Sequence, residues 1–181
     1  MPRTFVFADL GGFTNYTAGH GDDAAGRILS RFRSMVRDVA SKRGVRIAKW
    51  LGDGCMMVGM DQGDAIAAML DLEAMAGPTL APLTLRVGVA TGHALLFEGD
   101  DYIGSAVNLA SRLCDAAGAF EVLIPADQLE LVPDGVVVTP HGLMTLRGFP
   151  EPFEVVELSG HVGPSERHDT GELWTRQRYV V

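Results

Sequence analysis

The sequence predicts an α+β protein with an antiparallel sheet and flanking helices. Three observations lead there: β-branched and aromatic runs short enough to be strands, stretches with apolar residues at helical spacing, and the order in which these follow one another. That order, β-α-β-β-α-β, is the ferredoxin-like arrangement, with helices on one face of the sheet. At 181 residues the chain holds one well-buried core, and 47% apolar content with 22 glycines fits a folded domain rather than a disordered or fibrous one.

Residues 3–8, RTFVFA, form the first strand, which delivers Asp9 to its end with Gly11 and Gly12 directly behind. From Asp22 to about Lys42, the recurrence of Ile28, Leu29, Phe32, Met35, Val36 and Val39 makes one amphipathic helix. VRIAKW (45–50) and CMMVGM (55–60) are strands joined by LGDG, whose glycines and aspartate signal a hairpin with Asp53 in its turn. Residues 64–76 read as a second helix through Ala65, Ala68, Met69 and Leu72, with Pro78 and Pro82 bracketing the turn that follows.

LTLRVGVATG (83–92) is a strong strand, followed by a loop around EGDDYIG and a helix that Ser105 caps and that turns Val107, Leu109, Ala110 and Leu113 to the core. FEVLIP (120–125), a short ADQLE segment, VVV (136–138) and FEVVEL (153–158) extend the core as a C-terminal addition, with turns at Gly135, Gly142 and GFPEP. One domain over residues 1–158 and a polar tail over 159–181 of unassigned role is the expected organisation. Met56, Met57, Met60, Met69 and Met75 read as fillers of core gaps, and Trp50 as packing either at a subunit interface or on the domain's own helices.

A net charge of −8 with only 15 Lys and Arg argues against a nucleic-acid partner, since phosphate backbones are held by clustered cations. Two cysteines, Cys55 and Cys114, do not make a disulfide framework and point to a reducing compartment, so a cytoplasmic location is expected. No run approaches the roughly 18 apolar residues of a membrane span, and Met1 leads into the first strand without a leader-like segment, so no direct membrane insertion is expected.

Asp9 and Asp53 are the residues with the clearest chemical promise. If the first strand lies beside the hairpin, both carboxylates converge on one or two divalent cations, for which hard oxygen donors beside phosphates suit Mg²⁺. Gly11 and Gly12 can turn backbone N–H groups toward an anion. On these residues alone Asp9 also reads as a strand-end aspartate and Asp53 as a turn former, and the glycine pair matches neither GxxxxGK[ST] nor GxGxxG. Asn108 and Arg112, four residues apart, share one face of a helix.

FADLGGFT, KWLGDG, RVGVATG and DYIGSAVNLASRL resemble, in that order, the landmarks of the class III nucleotidyl cyclases, and among them a small bacterial adenylate cyclase domain; the likeness spans residues 3–158. The resemblance implies that Asp9 and Asp53, with the Leu10 carbonyl, hold two Mg²⁺ or Mn²⁺ ions, and that Gly11, Gly12, Phe13 and Thr14 contact the substrate. It further implies that Lys49 and Asp101 read the base, that Asn108 and Arg112 serve the ribose and the transition state, and that Arg147 lies near the polyphosphate or on a dimer arm.

The implied reaction converts ATP to 3′,5′-cyclic AMP and pyrophosphate. A Lys ammonium donates to adenine N1 and an Asp carboxylate accepts from the N6 amine, whereas guanine presents the opposite pattern. Lys49 and Asp53 share one hairpin yet would address opposite ends of the nucleotide. The resemblance answers this with a head-to-tail homodimer: Asp9 and Asp53 from one chain, Lys49, Asp101, Asn108 and Arg112 from the other. His93 after TG and EVLIP depart from the usual pattern without touching these positions. A catalytically inactive cyclase-like nucleotide-binding or regulatory module is the alternative. A purely structural ferredoxin-like protein is a second, and palm-type diguanylate cyclase chemistry lacks its GGDEF-type signature here.

Overall fold

The computed structural model of the chain describes residues 2–99, 101–129 and 132–163. Its elements run β1 (Arg3–Gly11), α1 (Phe13–His20), α2 (Asp22–Arg43), β2 (Arg46–Leu51), β3 (Gly54–Gly59), α3 (Gln62–Leu80), β4 (Thr84–Gly92), β5 (Leu95–Phe97), β6 (Asp101–Ile103) and α4 (Ser105–Ala116). After these come β7 (Glu121–Pro125), a 3₁₀ turn (Ala126–Gln128), β8 (Val136–Met144) and β9 (Phe153–Gly160). The main sheet has the order β2-β3-β1-β4-β7-β9-β8, and β5 pairs with β6 in a separate hairpin.

Through β4 the strands pair antiparallel, β1 with both β3 and β4, and β2 with β3. The expectation of a wholly antiparallel sheet fails beyond that point, because β7 lies parallel to β4. The cause is α4, which carries the chain back to the start of the sheet before β7 enters, a crossover that only a parallel neighbour accommodates. The sheet is therefore mixed.

Helices also cover both faces rather than one. Alternation along β1 sends Val6, Ala8 and Leu10 into a cluster with α2 and α3, while Phe5 joins Ala106, Val107, Leu109, Ala110 and Leu113 of α4 on the other side. The approach of α4 is main chain against main chain: a Cβ on Gly88 would stand 2.1 Å from the Ala110 oxygen and 2.3 Å from the Cys114 nitrogen. Gly88→Ala is accordingly expected to destabilise the domain by about 3 kcal/mol, the upper range for overpacking, read as a lower urea midpoint with an unchanged slope.

Several local expectations need correction. β1 continues through Asp9 to Gly11, so the carboxylate stands within the strand rather than at its end. Gly11 pairs with Thr84, leaving Gly12 alone in the left-handed region at φ 87, where its carbonyl accepts from the Tyr16 amide and opens α1. Helix α1 has no buried residue, so the sequence carried no apolar stripe to announce it. Helix α3 runs on through Pro78 to the buried Leu80, because a proline near a helix end forfeits a single hydrogen bond. Ser105 is the first residue of α4 and makes no side-chain cap; Gly104 holds the cap position.

The EGDDYIG region contains the β5–β6 hairpin rather than only a loop. Gly142, expected in a turn, lies inside β8 at a bulge after Pro140, with φ 104. β9 carries two residues of the expected tail, Ser159 and Gly160, as strand, and Arg43 then donates to the Val162 and Gly163 carbonyls while pairing with Asp71 at 2.8 Å. The remainder of the tail, residues 164–181, is outside the described residues. Met56, Met57 and Met69 are buried as expected, but Met60 is 68% exposed and Met75 borders the surface. Cys55 and Cys114 are free and buried; burial pushes both thiols up, that of Cys114 to about 12.

Candidate active site

The two aspartates meet through the strand register. Asp9 on β1 stands opposite Gly54 on β3, the residue after Asp53, and a Cβ on Gly54 would fall 2.9 Å from Asp9 Oδ1. Only glycine lets the Asp9 carboxylate sit this close to the hairpin. Burial, and next the charge of Asp9, raise the Asp53 pKa above the usual carboxylate value. Cations placed between them would relieve the effect of that charge.

A residue that the sequence reading passed over completes this corner. Arg86 on β4 stands opposite Asp9 on the other side of β1, and its Nη2 donates to Asp9 Oδ2. Burial lowers the Arg86 pKa, but the hydrogen bond and charge of Asp9 outweigh it and the net shift is upward. A lone arginine within the apolar run LTLRVGVATG was the available signal. Asp9, Gly54 and Leu51 line a cleft of about 200 Å³ whose far wall is α4, with Ser111, Cys114 and Asp115.

Lys49 and Asp101, far apart in sequence, are joined by an ion pair of 2.8 Å between Nζ and Oδ1. The hydrogen bond from Lys49 is the main cause that holds the Asp101 carboxyl below its ordinary pKa. Lys49 sits on the edge strand β2 just after a register shift, and Asp101 opens β6, so the hairpin of β5 and β6 carries the acid to the lysine. Beside Lys49, Trp50 lies under two guanidiniums of α2, with Arg33 at 5.0 Å and Arg37 at 5.2 Å from the ring centre. Trp50 thus rests on the domain's own helix, and Arg33 also donates to the Gly52 carbonyl, fixing the turn that holds Asp53.

Asn108 and Arg112 project from α4 into a second opening of about 500 Å³, together with Ile103, Ser105, Arg147 and Phe149. Arg147, for which the resemblance implies a place near the polyphosphate or on a dimer arm, thus lines the same opening as Asn108 and Arg112. Arg112 is held by Asp115 at 2.8 Å, one turn further along the helix. Gly12, Phe13 and Thr14 form the entry to α1, with Thr14 exposed and Phe13 packed on the core. Within one chain the site residues thus fall into separate places: Asp9 on the cleft of β1 and β3 with Asp53 beside it, and Asn108, Arg112 and Arg147 on the groove past α4.

Asp9, Asp53 and the Leu10 carbonyl are hard oxygen donors that suit Mg²⁺ or Mn²⁺. Among the described residues no group of three or more His, Cys, Asp or Glu forms a metal cluster, so phosphate oxygens and water would complete the coordination. Also among the described residues, no helix is long and apolar enough to cross a membrane.

No family model matches the chain. The uncharacterized protein Rv2212 of Mycobacterium tuberculosis is 36% identical over 161 residues, covering 89% of this chain and 42% of that protein. An adenylate cyclase of Streptomyces coelicolor is 39% identical over 119 residues, 65% of this chain and 31% of its own length. The chain thus spans less than half the length of these curated relatives. The crystal structure of the adenylyl cyclase CyaB from P. aeruginosa superimposes with a TM-score of 0.77 at 27% identity, covering 91% of this chain and 96% of that one.

Proposed function

From the class III nucleotidyl cyclase-like fold that this chain has, we propose that it is an adenylate cyclase, forming 3′,5′-cyclic AMP and pyrophosphate from ATP at sites shared between two copies. The observation that carries the choice of ATP is the contact of Lys49 with Asp101, which sets one donor and one acceptor side by side, the pair of groups that adenine N1 and N6 call for. Against guanine the same pair meets an N–H and a carbonyl in the wrong order, at a cost of about 1–3 kcal/mol for each group left unpaired.

Asp9 and Asp53, with the Leu10 carbonyl, would hold two divalent cations, which supply acidity to the ribose 3′-hydroxyl and screen the polyphosphate. Asn108 orients the ribose through its amide. Arg112 meets the negative charge that grows on the α-phosphoryl oxygens as the 3′-oxygen attacks and the bond to pyrophosphate breaks. For that task Arg112 must leave Asp115, and Arg147 supplies further positive charge to the same groove. The separation of these groups from Asp9 within one chain supports a site completed by a second copy. So does the apolar surface of Leu95, Leu96, Phe97 and Ile103, all more than half exposed on the β5–β6 hairpin.

The test is incubation with ATP or GTP and Mg²⁺ or Mn²⁺, followed by chromatographic identification of products. Cyclic AMP with release of pyrophosphate supports the proposal; nucleotide binding without turnover favours an inactive regulatory module, and cyclic GMP as main product overturns the base assignment. Lys49→Ala is expected to reduce the preference for ATP over GTP roughly 10–100-fold, read from the two kcat/KM values, because the groups that penalise guanine are then gone.

A further inference from the structure

Lys49 and Asp101 meet only because β2 breaks its alternation. Ile47 pairs with Met57 and Lys49 with Met56, so Ala48 is left between them as a bulge. Residues paired across two strands share a face of the sheet. Ile47 and Met57 join the cluster with α2 and α3, whereas Ala48 and Met56 join the one with α4, as does Tyr102, the neighbour of Asp101. Past the bulge Lys49 thus takes the α4 face, where its ion pair with Asp101 forms, and Trp50, opposite Cys55, returns to the α2 face. A regular ladder from Ile47 onward would instead pair Lys49 with Cys55 and send it beneath α2. We propose that Trp50 is a specificity-determining positioning residue: seated on α2, it holds β2 in the bulged register and so keeps Lys49 turned toward the base. The inference rests on the reading of Lys49 as a residue that meets the base.

The seat on α2 discriminates between the two registers by charge. The guanidinium carbons of Arg33 and Arg37 lie 5.0 and 5.2 Å from the Trp50 ring centre, inside the range of about 6 Å in which a cation is drawn to an aromatic face. Arg33 is half-buried, its Nη2 bonded to the Gly52 carbonyl and its Nε without an acceptor among the described residues, so the indole ring supplies contact that no hydrogen bond does. In the slipped register the same seat would receive the Lys49 ammonium, a like charge against two arginines, and the bond to Asp101 would be lost. The arginines therefore attract one register and repel the other. A slip does more than weaken Lys49, because it puts the sheet between the ammonium and Asp101.

The experiment measures, by calorimetry on the full chain with Mg²⁺, the affinities for the α,β-methylene analogues of ATP and GTP, which cannot release pyrophosphate, so the readout is independent of turnover. Lys49→Ala sets the scale. Trp50→Leu keeps apolar bulk but offers no ring to the guanidiniums, and it is expected to lower the preference for the ATP analogue roughly tenfold, the lower end of the Lys49→Ala effect. In the Lys49→Ala background it should change the preference little, which a double-mutant cycle reads as action through Lys49. Trp50→Phe, which retains a ring, is expected to keep most of the preference. The double variant Arg33→Gln with Arg37→Gln removes both charges without altering β2; it should lower the preference in the same direction, and it decides the matter if the leucine variant does not fold. A residue that merely packs would lower the thermal midpoint and both affinities in parallel, so an unchanged ratio in Trp50→Leu, or in the double arginine variant, overturns the inference. If Lys49→Ala leaves the ratio unchanged, the base-reading role of Lys49 itself fails; if Lys49→Ala lowers it and the Trp50 and arginine variants do not, only the positioning role of Trp50 is lost.

Discussion

Asp9→Asn and Asp53→Asn are each expected to lower cyclic AMP formation by roughly 10³-fold, the scale on which removal of one fixed electrostatic stabiliser acts. Asparagine keeps the shape and one neutral oxygen, so the loss isolates charge. The two variants should differ in stability. Asp53 sits beside Asp9 with its ionised form disfavoured, first by burial, and its neutral replacement removes a repulsion that folding otherwise sustains. Asp53→Asn should therefore keep or slightly raise the thermal midpoint. Asp9→Asn leaves Arg86 without its counter-charge and should lower that midpoint. Product chromatography and a thermal melt on the same samples check both halves; wild-type turnover in either variant refutes the assignment.

Mixing inactive Asp9→Ala chains with Lys49→Ala chains, whose turnover of ATP is impaired, is expected to raise ATP turnover above that of either variant alone. If each site draws Asp9 from one copy and Lys49 from the other, a mixed dimer has one site with both residues altered and one with both intact. With free exchange at equal amounts, about a quarter of wild-type turnover should return, because roughly half the dimers are mixed and each has one working site of two. The structure gives this result its meaning, since Lys49 and Asp53 are tied to one hairpin on α2 through Trp50 and Arg33. About ten ångströms of strand separate them, too little freedom for one chain to reach both ends of a nucleotide. Absence of rescue after subunit exchange has been verified by mass spectrometry would refute the split.

The residues most legible in the sequence were those whose chemistry shows in one letter. Asp9 after four apolar residues, Asp53 between glycines, and Asn108 and Arg112 one turn apart stood out; strand register sets Asp9 beside the turn of Asp53, and helix geometry sets Asn108 and Arg112 on one opening. Lys49 and Asp101 required the likeness to cyclases, because no local pattern links residues on different hairpins. Arg86 and Asp115 escaped because their importance lies in which strand and helix they face, a property of pairing rather than composition. Among the elements, those with a marked apolar period were found, whereas α1, with no buried side chain, and the three-residue strands β5 and β6 were too weakly patterned to separate from loop.

The contact at Gly88 bears on how such a domain tolerates change. Because α4 meets β4 backbone to backbone, the gap between the helix that bears Arg112 and the strand next to the one that bears Asp9 is gauged by peptide atoms, whose dimensions no substitution elsewhere alters. Core side chains on that face can drift in size, at a cost in stability, before the reach across the cleft shifts. A lineage of sequences can thus wander widely in its interior while the calibre of the cleft stays constant, with one glycine as the gauge block.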